Sequence, residues 1–151
     1  MIAIIQRVSR AEVIADGVKS GSIEQGYLVL LGVTSEDTDA TAELLARKTA
    51  ALRIFCDSED KMNLSLTDIG GKALVVSNFT LCADTKKGNR PSFIGAMRPD
   101  EADRLYKLYC EQLKANGVGG VETGVFGADM QINMSCDGPV TITLNTDTWR
   151  K

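Results

Sequence analysis

The fold turns on "SIEQGYLVLLGV", residues 22–33, whose second half is apolar at successive positions. A strand with one wet face would alternate, so this run predicts a strand covered on both faces, central in its sheet. Working outward, residues 1–14 mix Ile and Val with polar positions and read as a first strand. Between the two, Ala15, Asp16 and Gly17 form a hairpin signal, because Asp-Gly favours a two-residue turn. On the other side the period changes. In "TDATAELLARKTAALRIF", residues 38–55, Ala42, Leu45, Ala46, Thr49 and Leu52 recur at helical spacing, preceded by the acidic Glu36, Asp37 and Asp39.

Further along, "LTDIGGKALVVSNFTLCA", residues 66–83, returns to strand after a Gly-Gly turn, and "DTKKGNRPSFIGAM", residues 84–97, is loop by composition. "RPDEADRLYKLYCEQLKANG", residues 98–117, is a second helix. Pro99 suits its first turn, Asp100 and Glu101 favour its dipole, and Asn116-Gly117 marks its end. Its apolar stripe runs through Ala102, Leu105, Leu108, Tyr109 and Leu113. "GGVETG", residues 119–124, reads as another turn, and "MQINMS" and "VTITLNT" as two late strands separated by "CDGP". The expectation is one α+β domain over residues 1–151, rich in antiparallel strands, with two main helices.

Bulk properties narrow the function. The chain has 151 residues, 44% hydrophobic and 25% charged, which is ordinary for one soluble domain. "MIAIIQRVSR" reaches Gln6 and Arg7 too soon for a signal-peptide core, and no run approaches membrane-spanning length, so a cytoplasmic protein is expected. Cys56, Cys82, Cys110 and Cys136 lie far apart, which argues against a zinc site and for free, buried thiols. No metal and no cofactor are expected. There is no histidine, which excludes Ser-His-Asp and Cys-His nucleophiles within the chain. A net charge of −3 argues against indiscriminate nucleic-acid binding, so a nucleic-acid partner needs a local basic patch.

Two short stretches carry the chemistry. "VVSNFTL", residues 75–81, reads as a strand with Ser77, Phe79 and Leu81 on one face and Asn78 and Thr80 on the other. Its plain reading is a strand end whose hydroxyls satisfy local backbone groups. Its functional reading is a pocket floor that orients a polar substrate and aims N–H groups at a developing oxyanion. "DGPV", residues 137–140, suits a turn between strands. It becomes functional if the Gly138-Pro139 bond is cis and the Gly138 carbonyl faces outward without a Cβ in the way.

Together these stretches resemble the D-aminoacyl-tRNA deacylase family, "VVSNFTL" looking like its motif of serine, glutamine and a following threonine and "DGPVT" like its Gly-cisPro motif. "MIAIIQRV", "RIFCDSEDKMNLSL", "ADTKKGNRPSF", "FGADMQINM" and "GPVTITL" are similar to family segments in family order, over nearly the whole chain. The resemblance implies a deacylase-like, barrel-like fold and a homodimer that hydrolyses the ester of a D-amino acid, or glycine, at the tRNA 3′ end. It implies a pocket at the subunit interface, with Gly138 and Pro139 as a chiral gate entering from the partner and Arg7 bracing it. Ser77, Asn78 and Thr80 would line the ester end, and Phe79, Phe126 and Met130 the pocket wall. Two positions depart from the pattern: Asn78 stands where the family has glutamine, and Cys136 where it has asparagine. The first leaves any role of the position 78 backbone N–H intact.

An aminoacyl ester is already activated, so a positioned water, the neighbouring ribose hydroxyl and backbone donors suffice without histidine. Thr80 as a covalent nucleophile lacks an obvious base. For the polyanionic partner, Lys86, Lys87, Arg90 and Arg98 are the candidate basic patch, against a plain reading as a solvated loop. A non-catalytic small-ligand or RNA-binding module on the same scaffold is the competing function, kept open by Asn78. An enzyme that clears mischarged L-alanyl-tRNA also uses this fold, but with motifs unlike "SNFTL" and "GPVT".

Overall fold

The computed structural model describes residues 1–149. Strand β1 (Ile2–Ala15) turns at Asp16 and Gly17 into β2 (Val18–Ile23), and β3 (Gly26–Gly32) follows. Residues 22–33 are thus not one strand. They break at Glu24 and Gln25, and β2 and β3 run in the same direction along successive stretches of β1, both antiparallel to it. Helix α1 (Asp39–Ala50) leads to a small hairpin of β4 (Arg53–Cys56) and β5 (Met62–Ser65). Then come β6 (Lys72–Ser77), helix α2 (Pro99–Ala115), β7 (Val121–Thr123) and the long β8 (Met130–Asn145).

The main sheet runs β2-β1-β3-β6-β7, and β8 pairs with β1. β1 is antiparallel to β2, β3 and β8, whereas β6 is parallel to both β3 and β7. β3 is central, as its apolar run predicts. Tyr27, Val29 and Leu31 face the core that the helices cover, and Leu28 faces a second core with Val8, Val13, Leu74 and Val76. The first core is closed by Ala42, Leu45 and Ala46 of α1 and by Leu105, Tyr109 and Leu113 of α2. Burying each such leucine contributes roughly 1.5–3 kcal/mol. The buried Tyr109 hydroxyl donates to Thr49 Oγ1 at 2.9 Å, which satisfies a polar group buried between the helices.

Two stretches read as turns are something else. "GGVETG" contains β7, because Val121, Glu122 and Thr123 find an open edge on β6. "CDGP" does not reverse the chain, since the residues on both sides of it pair antiparallel with β1 as one strand. The register passes from Val8↔Cys136 to Gln6↔Thr141, so residues 137–140 oppose Arg7 alone and form a large bulge. The cysteines are all free, but only Cys110 is buried; Cys56 and Cys136 sit exposed at a strand end and at the bulge. Among the described residues, no helix is long and apolar enough to cross a membrane.

Candidate active site

β6 ends at Ser77, in register with Leu31 of β3. Asn78 leaves strand geometry at φ −146° and ψ 89°, and Phe79–Cys82 form a 3-10 turn. The two-faced strand expected for residues 75–81 therefore stops halfway. Ser, Asn and Thr offer the backbone side-chain partners that compete with a ladder, and here Thr80 donates its hydroxyl hydrogen to Asn78 Oδ1. The turn packs directly on β3 at Gly32, where a Cβ would lie 2.9 Å from Leu81 Cβ and 3.1 Å from the Asn78 carbonyl oxygen. The Asn78 N–H donates to the Leu31 carbonyl at 2.8 Å, so it is occupied by the sheet.

This turn forms one side of a cleft of about 600 Å3. Leu31, Val33, Ser77 and Asn78 lie at the strand ends. Phe93 and Met97 come from the loop, Ala102 and Tyr106 from α2, and Phe126 and Met130 from the approach to β8. The Tyr106 hydroxyl donates to the Val75 carbonyl at 2.7 Å, and its ring lies 6.0 Å from that of Phe126. Phe79, 60% exposed, meets Phe93 edge to face at 5.1 Å and forms the rim. Burial holds the Tyr106 phenol well above its ordinary pKa and also raises the Cys82 thiol. Neither is ionised at neutral pH, so neither is a ready base.

The structure therefore brings Ser77, Asn78, Phe79, Phe126 and Met130 together on one cleft. Thr80 is exposed just beyond its lining, and Lys86, Lys87 and Arg90 lie on the exposed loop outside it. Arg7, Gly138 and Pro139 lie at the β8 bulge, also outside it. There the Gly138-Pro139 peptide is cis and Gly138 has φ +124°. The buried Arg7 donates through Nη1 to the Ile54 carbonyl at 2.6 Å and through Nε to the Asp137 carbonyl at 3.2 Å. Its Nε also lies 3.3 Å from Asp137 Oδ2. The guanidinium thus fastens the bulge to β1 and β4, while Gly138 and Pro139 remain exposed.

Sequence reasoning missed Phe93, Tyr106 and the cleft position of Arg98. Tyr106 follows Ala102 by one helical turn, which was a usable signal; the loop residues carry no periodicity to reveal where they fold. Among the described residues, no three His, Cys, Asp or Glu side chains gather as a metal site.

A family model described as D-Tyr-tRNA(Tyr) deacylase matches residues 4–145. The chain belongs to this family. It is accordingly a hydrolase of carboxylic esters, with D-aminoacyl-tRNA deacylase activity. The D-aminoacyl-tRNA deacylase of Anaeromyxobacter dehalogenans (strain 2CP-C) is 53% identical over 146 residues, covering 97% of each chain. That of Lacticaseibacillus casei (strain BL23) is 50% identical, covering 97% of this chain and 99% of its own. A solved structure described as c-Myc DNA Unwinding Element Binding Protein superposes with a TM-score of 0.90 at 40% identity, over 96% of this chain and 98% of that one. A probable eukaryotic D-amino acid tRNA deacylase shares the fold, with a TM-score of 0.83 at 16% identity over 95% and 97% of the two chains. With that activity the non-catalytic reading of the scaffold falls away.

Proposed function

We propose that the chain acts as a two-fold homodimer in which Gly138 and Pro139 of one subunit close the cleft of the other. The assembled site hydrolyses D-aminoacyl-tRNA and glycyl-tRNA and spares L-aminoacyl-tRNA. The observation that carries this reading is the separation of the two motifs within one chain. Met130 lines the cleft, while Gly138 and Pro139 stand exposed much further along the same strand. At ~3.3 Å per residue, the intervening stretch of β8 spans on the order of 20–25 Å. A symmetric second copy supplies the gate that the chain's own cleft lacks.

Within the closed site, water attacks the ester carbonyl, the bond to the ribose 3′ oxygen breaks, and that oxygen takes a proton relayed by the adjacent 2′ hydroxyl. Ser77 and Asn78 orient the ester. Because the Asn78 N–H is engaged by Leu31, oxyanion donors come from the N–H groups that begin the 3-10 turn, Phe79 and Thr80. The first N–H groups of a helical turn have no carbonyl one turn back to bond. Outward carbonyls of the gate leave room for hydrogen at the α-carbon and clash with an L side chain, while glycine has nothing to exclude. Lys86, Lys87 and Arg90 on the exposed loop supply local positive charge for the RNA backbone in a chain of net charge −3. A substrate of charged tRNA fits work in the cytoplasm.

The test is single-turnover hydrolysis of D-tyrosyl-, glycyl- and L-tyrosyl-tRNA by purified protein. Rapid loss of the first two with the third spared is expected. Comparable rates for D- and L-tyrosyl-tRNA contradict the gate.

A further inference from the structure

Arg98 is the one charged side chain among the described residues that line the cleft; the others are apolar or carry a hydroxyl or an amide. It stands where the loop meets α2, at the N-cap, with φ −60° and ψ 143°, and its side chain makes no capping bond. A cation at a helix N-terminus opposes the macrodipole, and arginine is not among the residues that cap well. Nor does an ion pair justify the placement. Glu101, in the first turn, is taken by Arg104 at 2.6 Å, and Arg98 has no ion-pair partner among the described residues. The fold therefore gains little from this guanidinium, which is exposed at the mouth of the cleft.

We infer that Arg98 anchors the phosphodiester on the 5′ side of the tRNA's terminal nucleotide while the ester reaches Ser77 and Asn78. The inference rests on the proposed reading of the cleft as the aminoacyl-ester site. The substrate's own charges then decide the assignment. Its α-amino group is a cation that arginine would repel, and its anionic groups are phosphodiesters. Exposure orders the two ends in the same sense, since Arg98 is exposed whereas Ser77 and Asn78 are half-buried. A guanidinium fork matches two phosphate oxygens, which a lysine ammonium does only as a point charge. Arg98 is a positioning residue: it sets where the nucleotide sits and takes no part in bond breaking.

The experiment compares wild type, Arg98→Ala and Arg98→Lys on D-tyrosyl-tRNA and on 3′-O-D-tyrosyl-adenosine, which has the ester and nucleoside but no phosphate. Arg98→Ala should raise KM for D-tyrosyl-tRNA about tenfold with kcat retained, as loss of a charge-assisted contact would. Arg98→Lys should recover part of that, and the log–log salt dependence of kcat/KM should fall by about 0.7 in Arg98→Ala. All three proteins should hydrolyse D-tyrosyl-adenosine equally. Equal losses on both substrates, or no loss on the tRNA, would overturn the anchor. If wild type cleaves neither substrate, the ester-site reading itself fails, a result distinct from loss of the anchor alone.

Discussion

The Thr80 hydroxyl donates its hydrogen to the side-chain oxygen of Asn78 across the start of the 3-10 turn. That bond makes Thr80 a brace for Asn78, and nothing nearby is equipped to take its proton: the chain has no histidine, and burial keeps the Tyr106 phenol protonated. Thr80→Ala should therefore keep kcat on D-tyrosyl-tRNA within about fivefold of wild type, the worth of one net hydrogen bond. Acyl-enzyme trapping with mass analysis checks it. An ester found on Thr80 during turnover would restore the covalent route.

Asn78→Gln should leave turnover near the wild-type level. The amide keeps an acceptor for Thr80, and the backbone bond to Leu31 is independent of the side chain. A collapse in activity, with thermal unfolding unchanged, would mean that the cleft is shaped around the shorter residue.

Gly138 tolerates a side chain poorly. At φ +124° its added Cβ would lie 2.9 Å from Val140 Cγ2 and 3.1 Å from Arg7 Nη2. Gly138→Ala should lower unfolding stability by about 1–3 kcal/mol, from a backbone region that L residues avoid, and should displace Arg7 and impair turnover. Gly88 is the control. It also has positive φ, +69°, but with nothing within 4 Å of an added Cβ, so Gly88→Ala should keep full activity. Equal activity losses at the two sites would contradict a special role for the bulge.

Much of this was legible in the chain because burial on both faces leaves an unbroken apolar run, as at Leu28 to Leu31, and helix faces repeat at fixed spacing, as at Ala42, Leu45 and Ala46. Elsewhere, local composition competes with tertiary partners. Val121 to Thr123 look like a turn because their strand character comes from the open edge of β6. Asp137-Gly138-Pro139 has turn chemistry, yet Arg7 holds it as a bulge inside one strand. Residues 77–80 alternate like a strand, yet after Ser77 the chain packs on Gly32, closes the Asn78–Thr80 bond and turns along the side of the cleft. Arg98 could be recognised as basic but not placed in the cleft, because loops carry no period.

The helices are joined by Arg104, whose Nη2 lies 2.5 Å from Asp39 Oδ1 and 2.6 Å from Glu101 Oε1. Hydrogen bonding from Arg104 holds both carboxyls below their ordinary range. A carboxylate with a depressed folded-state pKa adds stability above its unfolded pKa and loses it as pH falls through the folded value. The urea midpoint of Arg104→Ala should therefore lie below wild type at about pH 7 and converge on it by about pH 2, beneath the carboxylate range. The effect should be small, since all three groups are solvent-exposed. A gap that persists unchanged into acid would contradict the ion pairs as its source.

The central claim is that each site is completed by a second copy, and mixed dimers test it most directly. Phe79→Arg blocks the cleft and Gly138→Trp blocks the gate, and each homodimer, once shown to fold and dimerise, should be inactive. Unfolding the two together and refolding them makes about half of the dimers mixed. Each mixed dimer has one doubly damaged and one intact site, so about a quarter of all sites should recover under two-fold symmetry. D-tyrosyl-tRNA hydrolysis near a quarter of the wild-type rate is the predicted result. Persistent inactivity, with heterodimers verified by mass, would contradict the shared site.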